Sequence, residues 1–410
     1  MKDKKALFVI FLVIFIDLLG FGIIIPVLPF FSENVLHMSK TEIGLLTGIY
    51  SLMQFVFSPF WGRLSDRFGR RPILLFCLLG EVFSYIGFSQ AGRFETLFLA
   101  RLFAGFFGAS ISTASAYISD ITPAHERSRG MAIIGVAFGL GFLIGPALGG
   151  GLALWGSHIS AAPHFDTSFA ALWVAGLCLA NFLFGLKFLK ESLSDENRLK
   201  AKNEKRKKRF ELLFHYLKKP LVGPLIGVFF LSSLAMSTME ATLVFFVGDR
   251  FQWGIREISF GFAYIGLIMV LSQGFLVRRL LPKVGEKRML MMGLAMMSLG
   301  MVLIAASSQI WILGLSQTVL ALGASFTNPS VMGSISLLSP AEEQGATMGT
   351  TQGTASLGRI FGPAFGGFAY QAIGMISPFL FAGAMSMIGL VTVFSIFKKL
   401  PEAAKMEHPR

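Results

Sequence analysis

The sequence predicts an all-α membrane protein with 12 transmembrane helices, arranged as two pseudo-symmetric six-helix bundles. Three observations carry this prediction: an apolar composition, twelve apolar runs of membrane-spanning length, and an internal repeat. Of the 410 residues, 54% are hydrophobic and only 14% are charged, against about 25% charged residues in a soluble domain. A chain this apolar could not cover its surface in water. A soluble enzyme and a disordered protein are therefore both excluded.

Twelve runs are long enough to cross a bilayer, because a transmembrane helix needs about 20 mostly apolar residues. The first run follows a short basic segment and could be a signal peptide, but it is too long for one, lacks a small-residue cleavage site and continues into Pro26 and Pro29. We interpret it as a retained helix. The predicted spans are 6–30, 42–61, 72–90, 94–118, 130–155, 168–189, 221–248, 259–281, 288–307, 309–335, 344–369 and 375–397.

The longest polar break, residues 190–219, separates six predicted helices from the next six. It contains the basic run Asn203-Glu-Lys-Arg-Lys-Lys-Arg209. We interpret the break as a solvated linker near anionic headgroups, and a specific lipid or protein site is the alternative. The predicted organisation is an N-terminal bundle at 1–189, the basic linker at 190–219 and a C-terminal bundle at 220–410.

The positive charges predict the orientation in the membrane. If the N-terminus is cytoplasmic, the loops on that side and the two termini hold 30 of the 36 Lys and Arg residues, and the opposite loops hold four. This is the positive-inside pattern of a membrane protein. We therefore expect a multi-pass protein of the cell (inner) membrane with both termini cytoplasmic. The net charge of +13 then reflects topology, so the expected partners are membrane lipid and no nucleic acid, and we expect a monomer.

Two sequence echoes predict that the halves are duplicated. Gly145-Pro-Ala-Leu-Gly-Gly150 and Gly362-Pro-Ala-Phe-Gly-Gly367 match at five of six positions and lie 217 residues apart. Gly69 and Gly285 stand in similar basic loops, 216 residues apart. Two echoes at nearly one offset indicate a duplicated six-helix unit, and parallel repeats around a midplane site are typical of transporters.

Five charged side chains lie deep in the predicted spans, where an ionised group costs at least about 2.5–3.5 kcal/mol and needs a partner or water. Asp17, near the middle of the first helix, is a candidate proton carrier, and a structural, hydrogen-bonded Asp is the alternative. Glu240 and Arg359 lie at similar depths, which predicts an ion pair that is either static or opens when Glu240 is protonated. The remaining two are Arg101 and Glu81, and a local hydrogen-bonding role is expected for Glu81.

The fifth and eleventh predicted helices are rich in glycine. Small residues let helices approach closely, and proline bends them. We expect a smooth, closely packed seam, which two rocking halves need. The fifth helix carries Gly135, Gly139, Gly141, Gly145, Pro146, Gly149 and Gly150, and the eleventh carries Gly349, Gly353, Gly358, Gly362 and Pro363.

The loop Gly62-Arg-Leu-Ser-Asp-Arg-Phe-Gly-Arg-Arg-Pro72 resembles the cytoplasmic signature of the major facilitator superfamily almost residue for residue. Asp17–Pro29 is similar to the first helix of proton-coupled drug exporters, and Gly145–Gly150 to a motif of antiporters rather than importers. Arg101–Gly108 resembles the family's helix-four arginine motif. The resemblance covers nearly the whole chain and is closest to the twelve-helix tetracycline and multidrug exporters. It implies the major facilitator fold.

The resemblance also implies a cytoplasmic gate. In the family, the residue matching Asp66 interacts with the start of the eleventh helix when the inner mouth is shut, and a carboxylate near a helix N-terminus is favoured. Topogenic charge alone is the alternative; it explains the arginines but not Asp66 or Gly69. The predicted gate consists of Gly62, Asp66, Arg67, Gly69, Arg70, Asp120 and Arg127, with Glu126 and Arg129 as further partners.

Proton and substrate sites follow from the same resemblance. The arginine matching Arg101 is implicated in proton coupling, so the predicted coupling residues are Asp17, Arg101, Glu240 and Arg359. Gln54 matches a substrate-contacting position of the tetracycline exporters. Several phenylalanines are candidates for an aromatic cavity wall, and lipid contact or packing is the alternative for each. They are Phe138 and Phe142, with Phe55, Phe57, Phe103, Phe106 and Phe107.

Three positions depart from the tetracycline exporters. Those proteins carry a membrane Asp where this chain has Ser84, a His near Met269 and an Asp near Met297. Glu81 and Glu240 are candidate substitutes. The departures count against metal-chelated tetracycline as the substrate and predict a differently arranged proton route.

No feature indicates chemistry on a substrate. The chain has no phosphate loop of the Gly-x4-Gly-Lys-Ser/Thr kind and no histidine–carboxylate cluster in the membrane, and its two cysteines exclude a disulfide framework. We expect no metal and no cofactor. We predict a secondary active transporter, not an enzyme, that exports small apolar or amphipathic, drug-like molecules in exchange for protons by alternating access. The alternative is a metabolite, sugar or lipid transporter of the same fold with different cargo or direction.

Overall fold

The computed structural model describes residues 4–122, 127–160, 165–193, 215–339 and 344–399. The regular secondary structure of these ranges is helical and contains no strand, which confirms the all-α prediction. The first seven helices are α1 (Lys4–Asn34), α2 (Lys40–Phe68), α3 (Arg70–Ser89), α4 (Phe94–Gly108), α5 (Ile111–Ile121), α6 (Arg127–Ile159) and α7 (Phe165–Phe188). The others are α8 (Val222–Phe251), α9 (Ile255–Leu271), α10 (Arg278–Val284), α11 (Glu286–Ala306), α12 (Ile310–Leu338), α13 (Gln344–Ala372) and α14 (Ser377–Ile396).

Eleven spans within the described residues are long and apolar enough to cross a membrane. One of them comprises α4 and α5, interrupted at Ala109 and Ser110, and another runs from α9 through a π-helical turn at Ser272–Val277 into α10. The predicted eleventh span is the exception, because α13 carries Thr, Ser, Gln and Arg side chains along its length. It still has 29 residues, about 43 Å at 1.5 Å per residue. That exceeds the roughly 30 Å hydrocarbon core, so the structure is consistent with twelve spans.

The chain divides into two compact units. The first consists of Met1–Lys205 with Trp253–Gly266, and the second of Arg206–Gln252 with Leu267–Arg410. Within the first unit, α1 packs along α6, and α3 packs on α4 and α7. Within the second, α8 packs along α13, and α11 packs on α12 and α14. Each helix pair of the second unit follows its counterpart in the first unit by the same offset as the sequence echoes. Both units therefore repeat one packing scheme.

Glycines at four-residue intervals form a close helix–helix seam in each unit. A Cβ placed on Gly145 would lie 2.6 Å from Gly22 Cα of α1, and one on Gly362 would lie 2.9 Å from Ser237 Cβ of α8. Backbones this close require glycine, as in small-residue seams between membrane helices. The seam glycines are Gly141, Gly145 and Gly149 in α6, and Gly358, Gly362 and Gly366 in α13, each 217 residues after its counterpart.

Single glycines also form the turn between α2 and α3 and the turn between α10 and α11. Gly69 has φ = 108° and Gly285 has φ = 81°, a region that glycine adopts without steric cost. The Gly69 N–H donates to the Ser65 carbonyl at 3.0 Å, and α3 begins at the next residue. A one-residue turn at the same place in each half supports the predicted repeat.

Replacing Gly69 with alanine should lower the free energy of unfolding by about 1 kcal/mol or more, because a Cβ is strained at positive φ. Thermal unfolding of the purified protein in detergent measures the effect. Gly87→Ala is the matched control. It lies inside α3, and its new Cβ would meet nothing closer than Ala100 Cβ at 3.9 Å. Equal melting temperatures for the two variants would contradict the strain argument.

Candidate proton site and gate

Two carboxyl groups lie near each other inside the first unit. Asp17 on α1 and Glu81 on α3 are within electrostatic range of each other. Glu81 is 3% exposed, whereas Asp17 remains partly exposed. Cys178 on α7 places its Sγ 3.9 Å from Glu81 Oε2. Asp17 was predicted as a proton carrier, and the structure places a second acid, Glu81, near it.

The predicted substrate residue Gln54 borders this carboxyl pair. Its Nε2 donates to Tyr50 Oη at 3.0 Å and to the Gly108 carbonyl at 3.1 Å. Gly108 ends α4, and a carbonyl at a helix end lacks its helical partner. The Gln54 side chain therefore supplies a hydrogen bond to that carbonyl at the break between α4 and α5. A Cβ on Gly108 would lie 3.0 Å from Tyr50 Oη and 3.4 Å from Glu81 Oε1. Substrate contact by Gln54 stays a prediction.

Arg101 is a buried cation beside the same cluster. It is 2% exposed, and its Cζ lies 4.4 Å from the centroid of the Tyr50 ring. Its Nε reaches the Leu46 carbonyl at 3.5 Å, and among the described residues its Nη1 has no hydrogen-bond partner. A cation over an aromatic face is stabilised when desolvated, but its charge still requires a compensating negative charge nearby.

Glu240 and Arg359 lie on α8 and α13, the closely packed pair of the second unit. The two side chains are within electrostatic range of each other. Arg359 is exposed and donates from Nη2 to Ser356 Oγ at 2.9 Å. The arrangement fits a long-range attraction between Glu240 and Arg359. That this pair opens when Glu240 is protonated stays a prediction.

The predicted gate contains a compact charge network centred on Arg70. Its Nη1 lies 2.6 Å from Asp66 Oδ1 and donates to Ser65 Oγ at 2.7 Å. Its Nε donates to Asp120 Oδ2 at 3.0 Å. Arg70 is only 6% exposed, so one arginine ties α2, the start of α3 and the end of α5 together.

The sequence analysis missed Glu191, which lies just beyond α7. Its carboxylate accepts the Arg70 N–H at 2.8 Å and the Arg71 N–H at 3.2 Å. These are the first two N–H groups of α3, and a carboxylate there both caps the helix and complements its dipole. Ser192 extends the contact by donating from Oγ to Asp120 Oδ2 at 3.0 Å. No local motif could reveal this, since Glu191 stands 121 residues from Arg70.

The antiporter motif lies in the seam of the first unit. Gly145 and Gly149 face α1, while Gly150 faces Ser259 and Ile255 of α9. Pro146 lies inside α6 between these contacts. The side chains of Arg127, Phe138 and Phe142 lie outside the described residues, as do Glu126 and the side chain of Arg129.

Two of the predicted aromatic wall residues, Phe106 and Phe107, line a groove of about 520 Å³ in the first unit. Trp61 is fixed there by a 2.6 Å hydrogen bond from Nε1 to the Phe106 carbonyl, and its ring contacts Phe106 and Phe107. The lining is aromatic and aliphatic throughout, so the groove and the carboxyl cluster are separate features. It is formed by Phe60, Trp61, Leu64, Phe68, Pro72, Ile73, Phe76, Phe106 and Phe107.

The positions that depart from the tetracycline exporters hold no substitute acid or histidine. Ser84 is buried and donates from Oγ to the Gly80 carbonyl of its own helix at 2.8 Å. Met297 is 2% exposed and belongs to the packed interior of the second unit. Glu81, which lies one turn before Ser84, and Glu240 stay candidate substitutes.

Comparison with known proteins adds to this geometry. The chain matches the Major Facilitator Superfamily over residues 10–284 and 274–409. It is 33% identical over 368 residues to the class C tetracycline resistance protein of Escherichia coli, covering 88% of this chain and 89% of that protein. It is 30% identical over 407 residues to multidrug resistance protein 2 of Bacillus subtilis, covering 99% and 98%. The crystal structure of the human organic anion transporter MFSD10 has a TM-score of 0.68 and 25% identity, covering 96% of this chain and 100% of that one.

Proposed function

The chain belongs to the Major Facilitator Superfamily, and we propose that this multi-pass membrane transporter exports small apolar or amphipathic molecules in exchange for protons. The proposal places it in the inner membrane with both termini in the cytoplasm, as the distribution of Lys and Arg predicts. It acts on a small molecule without changing it covalently. Relatives named as tetracycline and multidrug resistance proteins support export of drug-like cargo.

The observation that carries the proposal is a partly exposed carboxyl in the middle of a membrane helix. Asp17 is half-buried, whereas Glu81 and Arg101 are buried. An acid at membrane depth can take up and release a proton as access to each side alternates. One charge moving across 100 mV is worth about 2.3 kcal/mol, enough for roughly fifty-fold accumulation.

Alternating access supplies the transport cycle in this proposal. A proton from outside neutralises Asp17 or Glu240, and substrate release is linked to that step. The two bundles rock about a midplane site. The glycine seams keep each bundle closely packed while it moves as a body, and the Arg70 network holds the cytoplasmic ends of α2, α3 and α5 together.

Asp17→Asn should abolish substrate-driven proton flux, because the amide cannot release a proton at physiological pH. The measurement uses acidified inverted vesicles and an acridine dye whose fluorescence recovers when protons leave, on addition of a drug panel that includes a tetracycline. Ser84→Ala, with a hydroxyl bonded only within its own helix, serves as the control and should behave as wild type. Undiminished flux in Asp17→Asn combined with Glu240→Gln would refute proton coupling through these acids.

Export of organic anions is the second candidate, since the human structural relative is an organic anion transporter and Arg359 presents an exposed guanidinium in α13. The same vesicles separate the two candidates. Fluorescence recovery with lipophilic cations supports drug export, whereas recovery with carboxylate substrates that disappears in Arg359→Gln supports the anion alternative.

A further inference from the structure

We propose that the apolar groove of the first unit binds one acyl chain of an anionic phospholipid, such as phosphatidylglycerol, whose phosphate lies against Arg63 and Arg67 at the edge of the groove. The ligand is a membrane lipid and not the transported molecule, so the site goes beyond the proposed function and does not depend on it. It is also distinct from the basic linker at 190–219.

The groove runs along the end of α2 and the beginning of α3. On α2 it is lined from Phe60 to Phe68, eight residues that extend about 12 Å at 1.5 Å per residue. One leaflet supplies about half of a hydrocarbon core of roughly 30 Å, so the groove matches most of the depth of one leaflet. Phe106 and Phe107 of α4 complete the lining just before the break at Ala109.

The groove is open on its outer side and suited to hydrocarbon. Three of its phenylalanines are exposed, Phe60 by 41%, Phe68 by 53% and Phe76 by 54%. Trp61 is only 2% exposed, and its Nε1 already donates to the Phe106 carbonyl. A lining of aromatic and aliphatic side chains gains dispersion contacts from a hydrocarbon chain, and it would lose them beside an empty gap.

The size of the groove distinguishes it from ordinary lipid contact. A convex helix face touches lipid chains that exchange freely, whereas a concave space holds a chain on several sides. The groove has a volume of about 520 Å³, within the range of about 300–1,000 Å³ for small-ligand sites. It therefore offers one chain a defined position between α2, α3 and α4.

Two arginines lie on the edge of α2 that borders the groove. Arg63 and Arg67 are exposed and stand three and seven residues after Phe60, a spacing that places them on one helix face. Arg67 Cζ lies 5.7 Å from the centroid of the Phe68 ring, at the end of the groove beside the α2–α3 turn. A guanidinium binds phosphate through charge-assisted hydrogen bonds that are often bidentate.

The described carboxylates near this turn act on other groups. Asp66 and Asp120 pair with Arg70, and Glu191 accepts the backbone N–H groups of Arg70 and Arg71. The edge of the groove is therefore positive. Basic pockets between membrane helices on the cytoplasmic side bind anionic headgroups, and the distribution of Lys and Arg predicts that this turn is cytoplasmic.

Trp61 lines the groove and reports its occupant. The other four of the five tryptophans are replaced by phenylalanine, and fluorescence is measured in phosphatidylcholine vesicles that contain brominated phosphatidylglycerol, because brominated acyl chains quench tryptophan on contact. This lipid should associate with Trp61 at least about fivefold more strongly than brominated phosphatidylcholine, the effect of one arginine near an anionic headgroup. Protein that retains only Trp311, which is 70% exposed, should show no preference.

Arginine variants test the headgroup contact. Arg63→Gln combined with Arg67→Gln should remove the preference of Trp61 for phosphatidylglycerol, while quenching by both lipids persists because the acyl chain still enters. Arg93→Gln is the matched control, since Arg93 is exposed and stands just before α4, at the opposite end of that helix from Phe106. It should keep the full preference.

A melting experiment tests the site in the wild-type protein. Phosphatidylglycerol added to delipidated protein in detergent should raise the melting temperature more than phosphatidylcholine does, because a ligand that binds only the folded state stabilises it. Leu64→Phe adds a ring to the lining of the groove and should reduce this response. It should also reduce the quenching of Trp61 by both brominated lipids.

Three outcomes would overturn the site. Equal quenching of Trp61 by the two lipids would show that the groove does not select an anionic headgroup. Absence of quenching at Trp61 in vesicles that quench Trp311 would show that no lipid chain enters. Relief of the quenching by tetraphenylphosphonium or a tetracycline would assign the groove to the transported molecule. Drug–proton exchange is measured separately in vesicles, so its failure would leave the lipid site standing.

Discussion

Gly145→Ala should abolish transport and lower the melting temperature, because the added methyl group has no space in the α1–α6 seam. Its Cβ would lie 2.6 Å from Gly22 Cα and 2.9 Å from the Ile23 backbone nitrogen. Both atoms are backbone, so relief requires moving α1 itself. Overpacking of this kind costs about 1–3 kcal/mol, which outweighs the roughly 1 kcal/mol that alanine gains over glycine inside a helix. Shifting α1 would also displace Asp17 from Glu81.

Gly151→Ala is the matched control for this experiment. It lies in the same helix, and its new Cβ would meet no atom within 4 Å, so the propensity gain of up to about 1 kcal/mol should appear unopposed. Thermal unfolding in detergent and vesicle flux are measured for both variants. A melting temperature that rises in Gly145→Ala as it does in Gly151→Ala would show that the seam is looser than the distances indicate.

The repeat extends this prediction to the second unit. Gly362 is the counterpart of Gly145, and a Cβ there would lie 2.9 Å from Ser237 Cβ and 3.0 Å from the Leu234 carbonyl. Its effect should be smaller, because the nearest contact at Gly362 is 2.9 Å, whereas the nearest contact at Gly145 is 2.6 Å. A larger loss of stability at Gly362 than at Gly145 would contradict this comparison.

The helices and their repeat were predictable because both produce patterns in the amino-acid sequence. Length and apolarity located the spans, and the Gly-Pro echo anticipated two equivalent seams. The eleventh span shows the limit of apolarity: α13 was predicted from its position in the repeat, while its polar side chains reduce its membrane signal. This helix packs along α8, and Thr238 Oγ1 of α8 donates to the Gly362 carbonyl of α13 at 3.3 Å.

The candidate site was only half predictable. Asp17, Gln54 and Arg101 are each conspicuous as polar groups in apolar runs, and the structure brings Gln54 and Arg101 against Tyr50. Glu81 was equally conspicuous, but its surroundings depend on which helices pack against its face of α3, and linear order does not determine that. Glu191 gave no signal at all. A carboxylate after a helix usually remains solvated, and only tertiary folding places it at the start of α3.

Arg70→Ala should be the most destabilising single change in the gate. It removes the cation shared by Asp66 and Asp120, whose side chains are only 14% and 17% exposed. Removing one partner of a buried ion pair costs about 3–5 kcal/mol. We expect the lower end, near 3 kcal/mol, because both carboxylates keep some contact with water. The stability of Arg70→Lys should lie between those of wild type and Arg70→Ala. The lysine ammonium keeps the charge but lacks the forked guanidinium that reaches two carboxylates.

The design of the Arg70 experiment distinguishes charge from packing. Arg63→Ala is the control, because Arg63 is exposed and its Nε donates only to the Pro59 carbonyl within α2; its effect should stay within about 0.5 kcal/mol. Asp120→Asn added to Arg70→Ala should recover part of the lost stability, because it removes one of the two stranded negative charges. If the double variant is less stable than Arg70→Ala, the loss comes from side-chain packing, and the charge network does not hold the end of α5 against α2.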